Sequence, residues 1–423
     1  MHDAILDARE HRAKQIESWL HLGYDVLVSI HANIPAEHKN IKEAYIVVRF
    51  FEMLIKETFH VQKHERFESA DGPYTLMTIS GLPAREVKEK LIEMEDHIPL
   101  GRLVDLDVWS IPDQLWSRSS LKRKPRKCYI CDDVAHHCVR AKKHSLQDIM
   151  TFIRETTKQH LYEDVGHLVK KVMLDELNLD DKFGLVTPSS MGSHDDMDYR
   201  LMRDTQKVIV PYFIHMFRLG YESDEIYNLL PIARKFGIEA EQTMLEHTHG
   251  VNCYKGLIFI LGLVMVSTGY TLSKNQDVSH IFTNIHTLTQ DILDDFNNKP
   301  VTFGEKAYHE HQIMGARGEA YLGLPSVHHA LNLMKDVPFN DTLLRKVLQQ
   351  LIRTTDDTVL LKRAGSFDAY MAIKKEVSLI DVTDLAQVKH FTEGAIEKHL
   401  SFGGSADLLI ATLFIYYFTQ RYF

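Results

Sequence analysis

Gly101-Arg102-Leu103-Val104-Asp105-Leu106-Asp107-Val108-Trp109 alternates apolar and polar side chains with the period of two that marks a half-buried strand. Side chains two apart on a strand share a face, so Asp105 and Asp107 point together while Val104, Leu106 and Val108 pack on the other side. Two hard carboxylates on one rigid face suit Mg²⁺ bound together with substrate phosphates, the layout for in-line attack on phosphorus. A solvated strand face is the competing reading of an isolated Asp-x-Asp.

Working back from this strand, residues 83–97 read as a helix opened by Pro83, 74–80 as a strand and 41–56 as a helix. Val26, Val28 and Ile30 alternate as a further strand, and Ile5, Leu6, Arg9, Arg12, Ile16 and Trp19-Leu20 fall at helical spacing. Helices and strands in turn predict an α+β domain. Working forward, strand signals nearly vanish after about residue 146, and apolar helical patterns recur between breaks near Gly184, Gly220, Gly250, Gly315 and Gly403. The expected architecture is therefore two domains, α+β over residues 1–155 and all-α over 156–423, with no Pro/Gly/Ser-rich linker between them.

The bulk numbers agree with two folded domains. At 423 residues and 44% hydrophobic composition the chain can bury a core in each, which excludes wholesale disorder. A formal charge of −9 argues against a partner that is nucleic acid or an anionic membrane, so any anion site must be local. The apolar runs Leu257 to Leu272 and Ala406 to Phe418 fall short of the roughly 18 uninterrupted apolar residues of a membrane span and predict buried helices. Met1-His2-Asp3-Ala4 lacks the basic-then-apolar pattern of a secretory leader, and only four cysteines occur, so a cytoplasmic setting is expected.

Beyond the paired acids, Arg118, Lys122, Arg123, Lys124, Arg126 and Lys127 place six basic residues in ten, as a metal–triphosphate site would need for its remaining charge. A solvated surface run is the other reading. Cys128, Cys131, Cys138 and His144 then offer three thiolates and an imidazole, which fit either a tetrahedral structural zinc or reduced packing cysteines.

Several of these blocks, in order, resemble holo-citrate lyase synthase, the phosphoribosyl-dephospho-CoA transferase. They are Arg9-Glu10-x-Arg12 with Gln15, Ser29 to Pro35, Pro99 to Leu103 leading into Asp105-x-Asp107, Ser117-Arg118, and the block from Pro125 to Ser145. The resemblance covers most of residues 1–150 and implies a nucleotidyltransferase-like domain. A serine of the apo-citrate lyase acyl-carrier (gamma) subunit would attack the α-phosphorus of triphosphoribosyl-dephospho-CoA and expel pyrophosphate. Asp105 and Asp107 would hold Mg²⁺, and Arg102, Arg118 and Arg126 would clamp phosphate.

In the helical half, four glycine-bearing segments interrupt apolar helices. Asp181 to Val186 runs on through Gly192 to Asp198 and crowds His194, Asp195, Asp196 and Asp198 together, which is costly without a cation or protons. Thr248 to Gly256 leads into an apolar helix whose N-terminal amides and Lys255 could cradle phosphate. Gly315 to Ala320 sets Arg317 near Glu319, and Ser401 to Asp407 puts Gly403, Gly404 and Ser405 before a helix start with Asp407 in its first turn. Taken singly these are caps, a surface ion pair and a solvated turn; together they can converge on one cleft.

These segments resemble triphosphoribosyl-dephospho-CoA synthase over about residues 165–418, departing from its pattern at Asp181, Phe183, Thr187, Tyr254, Val359 and Ala364. That resemblance implies ATP and 3′-dephospho-CoA as substrates and adenine as a product. The chemistry of that reaction points to Asp195, Asp196 or Asp198, with Asp356 or Asp357, for base and Mg²⁺ duties, adds Glu319 and Asp407 as catalytic candidates, and gives substrate and triphosphate binding to Lys182, Lys255, Arg317, Arg363, Gly403, Gly404 and Ser405. A metal-dependent phosphohydrolase built around His194, and a zinc-stapled helical adaptor, are the alternatives.

Overall fold

The computed structural model describes residues 2–35, 38–110, 114–297 and 299–423. It falls into two units, Met1–Glu163 with Gln420–Phe423, and Asp164–Thr419. The division lies inside one helix, Leu146–Asn178, rather than at a linker.

The first unit begins with α1 (His2–Leu20), β1 (Val26–Ala32), α2 (Lys42–Thr58), β2 (Val61–Phe67) and β3 (Tyr74–Ile79). It continues with α3 (Ala84–His97), a 3₁₀ turn (Pro99–Leu103), β4 (Val104–Ser110), β5 (Gln114–Trp116), α4 (Ala135–Arg140) and the start of α5 (Leu146–Asn178). The five strands form one antiparallel sheet in the order β2-β3-β1-β4-β5. The strand expected at 102–109 starts at Val104, because Pro99–Leu103 closes into the 3₁₀ turn first. The sequence reading omits β2 and β5.

Alternation along β1 and β4 splits the sheet into two different faces. Val26, Val28 and Ile30 lie with Val104, Leu106 and Val108 in the buried layer under α2 and α3. On the opposite face Leu27, Tyr74 and Leu76 pack with Trp19 and Leu20 of α1, joined by Ile16, Phe67 and Trp109. Ser29 pairs with Asp107 and His31 with Asp105, so the acidic pair shares the α1 face.

Strand β5 covers only Val108–Ser110 of β4, and the remaining edge is closed by side chains. The Leu106 N–H donates to Glu95 (3.2 Å), Lys88 donates to the Leu106 carbonyl (2.5 Å), and Arg126 donates to the Val104 carbonyl (2.8 Å). An edge that would otherwise invite a further strand is thereby capped by charged groups beside the paired aspartates.

The second unit is helical; among the described residues its β content is the isolated Thr187–Ser190 bridge. After α5 come α6 (Tyr199–Glu222), α7 (Leu230–His247), α8 (Lys255–Ser273), α9 (His280–Leu288), α10 (Phe303–His311) and α11 (Gly315–Tyr321). They are followed by α12 (Pro325–Met334), α13 (Asp341–Thr354), α14 (Thr358–Ala364), α15 (Phe367–Ser378), α16 (Leu385–Glu397) and α17 (Gly403–Tyr422). α8 is apolar on all sides, as a central helix must be, and packs against α6, α7, α9 and α11. By length and composition it could cross a membrane, but 78% of its apolar window is buried inside the protein. The run expected at Ala406 to Phe418 forms the buried body of α17.

Candidate active sites

In the first unit, Glu95 of α3 organises the region around the aspartates. It is 1% exposed and takes two of the three basic side chains that the sequence offers as phosphate clamps. Arg118 reaches Glu95 at 2.6 Å and Asp96 at 2.8 Å, while Arg126 bridges Glu95 and Asp105, the latter at 2.5 Å. Gly101 makes this possible, since a Cβ there would sit 2.3 Å from the Glu95 carbonyl oxygen and push the Pro99–Leu103 turn off α3. Arg102 donates to the Cys128 carbonyl. The basic run thus divides: Arg118 and Arg126 fold inward, and Lys122, Arg123 and Lys124 face solvent.

Asp105 is half-buried and Asp107 opens to solvent. Crowding by protein atoms still raises the Asp107 carboxyl above the usual range, with Lys88 opposing and Asp105 adding to the shift. Burial pushes the Lys88 ammonium down, offset by Glu95 and Asp107.

The cysteine block closes on itself. One ligand atom each from Cys128, Cys131, Cys138 and His144 lies within 4.8 Å of every other, with Cys131 and Cys138 sulfurs 3.6 Å apart and Cys131 Sγ 3.3 Å from His144 Nε2. A tetrahedral zinc with bonds of about 2.3 Å sets sulfurs about 3.8 Å apart, so the donor set fits that ion in both chemistry and size.

In the second unit, a cavity of about 430 Å³ is lined by Lys255, Arg317, Arg234, Glu241 and Asp295 around an apolar floor that includes Ile258 and Phe259. Lys255 stands in the first turn of α8 and reaches Glu241 at 2.5 Å. Arg317 does not pair with Glu319, as its spacing suggests. It turns to Asp295 (3.3 Å) and Glu305 (3.6 Å) and lies over the Phe296 ring, while Arg234 shares Asp295 at 3.2 Å. Glu319 turns inward, accepting from the Ser326 hydroxyl at 2.6 Å, and burial raises its carboxyl.

Three glycine segments meet at the turn before α14. A Cβ on Gly315 would meet Thr358 at 2.9 Å, one on Gly404 would meet the Asp357 carboxyl at 3.1 Å, and one on Gly256 would strike Asp407 at 2.1 Å. The fourth segment joins them through His194, whose Nε2 lies 3.1 Å from Ser401 Oγ. Burial first, and then Arg363, push the His194 imidazole below its ordinary value.

Within this convergence the named residues take different duties. Asp357 is a buried cap, accepting from the amides of Val359 and Leu360 and from the amide and hydroxyl of Ser405. The Gly403-Gly404-Ser405 start of α17 is therefore turned to Asp357. Asp198 caps α6 through the Leu201 amide at 2.8 Å. Lys182 is sealed in an ion pair with Glu176 at 2.6 Å, and both of its hydrogen bonds go to that residue. Asp195, Asp196 and Arg363 are exposed, and Asp356 is half-buried. Asp407 makes no hydrogen bond or ion pair among the described residues, and burial, with Asp357 and Glu176 nearby, holds its carboxyl well above the usual range. The further ligands that a phosphohydrolase would need at His194 are missing: among the described residues the metal-type group is the cysteine set, and His194 has Asp196 at 3.8 Å.

Residues 162–422 match the family model CitG, ATP:dephospho-CoA triphosphoribosyl transferase, and residues 2–160 match CitX, apo-citrate lyase phosphoribosyl-dephospho-CoA transferase. The chain belongs to the CitG family, and its first unit matches the CitX model. Protein CitXG of Haemophilus influenzae is 29% identical over 97% of this chain and 95% of its own length. Protein CitXG of Leuconostoc mesenteroides subsp. cremoris is 29% identical over 97% and 96%. A probable 2-(5″-triphosphoribosyl)-3′-dephosphocoenzyme-A synthase of Vibrio cholerae is 36% identical over 61% of this chain and 89% of its own length.

Each unit also holds site residues that the sequence reading does not name. In the CitX unit they are Glu95, Lys88, Lys39 and Asp71, the last gathering Lys39 with Arg9, Arg12 and His31 of the resemblance blocks. In the CitG unit they are Arg234, Glu241, Asp295 and Lys374, the last donating to the Thr355 carbonyl at 2.7 Å. The paired acids and cations are far apart in sequence, 62 positions for Arg9 and Asp71, so no local pattern announces them.

Proposed function

We propose that the chain catalyses two successive transfers that make and attach the citrate lyase prosthetic group. The CitG unit joins ATP to 3′-dephospho-CoA, yielding triphosphoribosyl-dephospho-CoA and adenine. The CitX unit, read as nucleotidyltransferase-like, passes the phosphoribosyl-dephospho-CoA moiety to a serine of the apo-citrate lyase acyl-carrier (gamma) subunit and releases pyrophosphate. The observation that carries this reading is that the two family models divide the chain at the same helix as the two units do. A cytoplasmic setting belongs to the reading, in keeping with four cysteines present as free thiols.

In the CitG unit the anomeric carbon must lose adenine and accept a ribose hydroxyl oxygen of dephospho-CoA, with positive charge growing on the sugar. The departing base needs a proton, and the incoming hydroxyl must lose one. Glu319 and Asp407, whose carboxyls are raised above the usual range by burial, suit the donor role, and half-buried Asp356 suits the acceptor role. Lys255 and Arg317 at the charged rim of the cavity suit the triphosphate, and its apolar floor suits adenine.

In the CitX unit Asp105 and Asp107 would hold magnesium, which when bound offsets charge on the reacting phosphate. Glu95 fixes Arg118 and Arg126 beside them. Cys128, Cys131, Cys138 and His144 would hold a structural zinc, which ties the carbonyl that receives Arg102 to a rigid knuckle. Elemental analysis should find about one zinc per chain, and Cys131→Ser should remove it; wild-type protein without stoichiometric zinc would exclude the ion.

The decisive experiment incubates purified protein with ATP, dephospho-CoA, Mg²⁺ and apo carrier subunit. Adenine is expected by chromatography, and a carrier heavier by one phosphoribosyl-dephospho-CoA by mass spectrometry. Absence of both products ends the proposal.

A further inference from the structure

Asp71 is 1% exposed and lies between α1 and the sheet. Arg12 reaches it at 2.9 Å, Arg9 at 3.1 Å and Lys39 at 3.8 Å, and the His31 ring nitrogen lies 2.9 Å from its carbonyl oxygen. Three permanent cations therefore share one carboxylate. Burial and the neighbouring Arg12 keep the fourth basic group, His31, neutral down to about pH 4. The Lys39 side chain is only 10% exposed, so its charge is largely denied to water, and burial lowers its pKa accordingly. Among the described residues the cations here outnumber the carboxylate that meets them directly, and such an excess, partly desolvated, is unfavourable unless an anion completes it.

The position of this surplus matters as much as its sign. His31 is the cross-strand partner of Asp105, and Lys39 feels the Asp105 carboxylate. The cluster thus adjoins the paired acids on the α1 face. On the other side of those acids Glu95 and Asp96 already occupy Arg118 and Arg126. The inward-folded arginines of the basic run are engaged, and among the described residues on the α1 face the surplus lies with Arg9, Arg12 and Lys39.

We infer that Arg9, Arg12 and Lys39, gathered on Asp71, form the subsite that receives the polyphosphate end of the transferase substrate. This rests on the reading of the first unit as the transferase. In that reaction the serine oxygen–phosphorus bond forms and the bond from that phosphorus to the pyrophosphate oxygen breaks. The serine proton leaves to a base or to solvent, and pyrophosphate departs with the electron pair and its charge. Cations held beside Asp105 receive that growing charge, and Asp71 keeps the two arginine side chains aimed while spending only one negative charge. Arg12 is further fixed by its position over the Tyr74 ring, 5.7 Å from its centre.

The test uses the full chain and inorganic triphosphate as probe. Arg9, whose side chain is 46% exposed, is labelled with phenylglyoxal and quantified by peptide mass spectrometry with and without triphosphate. Triphosphate should slow labelling at Arg9, and Lys39→Gln should raise the concentration giving half-protection about tenfold. In parallel, Arg9→Gln, a change at a half-exposed side chain, should raise the KM for triphosphoribosyl-dephospho-CoA and the inhibition constant of pyrophosphate in carrier modification. Equal labelling of wild-type Arg9 with and without triphosphate, or protection indifferent to Lys39→Gln, overturns the subsite. Carrier modification by the wild type with Arg9 unprotected would sink the subsite alone. An Arg9 that is protected in a protein unable to modify the carrier would sink the transferase reading and leave the subsite standing.

Discussion

The two units treat buried carboxylates in opposite ways. In the CitX unit three of the four are met by cations: Asp71 by Arg9 and Arg12, Glu95 by Arg118 and Arg126, and Glu52 by Lys56 at 2.5 Å and Arg66 at 2.8 Å, with Glu43 the exception among the described residues. In the CitG unit Asp357 and Glu319 are met by amides and hydroxyls, and the half-buried Asp407 by no partner among the described residues, Glu176 with Lys182 being the exception. The electrostatic result follows directly. Side-chain hydrogen bonds from Arg66 and Lys56 outweigh burial and hold Glu52 below its ordinary value, whereas burial prevails at Asp357, Glu319 and Asp407 and raises them. Fixed ion pairs suit a site that handles phosphate charge, and carboxyls raised above their ordinary range suit one that must supply a proton to a leaving base.

The largest expected effect tests whether the two sites are separate. Asp107→Ala should lower carrier modification at least about a hundredfold while adenine release continues. Loss of both in a folded protein would merge the sites. A smaller effect probes the raised acids. Asp407→Asn keeps the shape beneath Gly256 and removes the titratable carboxyl, so adenine release should fall about tenfold or more with the unfolding midpoint unchanged. Unaltered adenine release would demote Asp407 to packing.

The most gradual effect contrasts the units by pH. His31 takes up a proton near 6.5 when unfolded but only near 4 when folded, so its contribution to the first unit is lost as pH falls through that window. Glu319 and Asp357 are raised, so between their ordinary and raised values they bind protons more tightly when folded, and acidification favours the second unit. All three tryptophans, Trp19, Trp109 and Trp116, lie in the first unit. Their fluorescence in urea should report a midpoint that falls from pH 6.5 to pH 5, while helical circular dichroism, dominated by the second unit, resists. Parallel movement of both signals would contradict the contrast.

Much of this was legible in the residues, for identifiable reasons. Period-two alternation exposes β4 and its aspartates, and all-round apolarity exposes α8. By contrast, β2 reads Val-Gln-Lys-His-Glu-Arg-Phe, an edge strand whose exposed positions hide its alternation. A lysine two places from a glycine looks like a phosphate ligand, and nothing local reveals that Lys182 turns back six residues to Glu176. Arg118 and Arg126 look like one solvent-facing run with Lys122 to Lys124 because sequence does not show that Glu95, more than twenty positions earlier, takes just those two.

The first unit also contains Gln420–Phe423. Arg49 donates to the Tyr422 carbonyl at 3.1 Å across 373 positions, and Phe50 stacks on the Tyr422 ring. During synthesis on the ribosome, at ordinary elongation rates of about 5–20 residues per second, Arg49 and Phe50 await that partner for roughly 20–75 s. The domain translated first is the one that must wait for the last turn of helix, so a nascent chain stalled late in translation carries an unfinished CitX fold behind an almost complete CitG one.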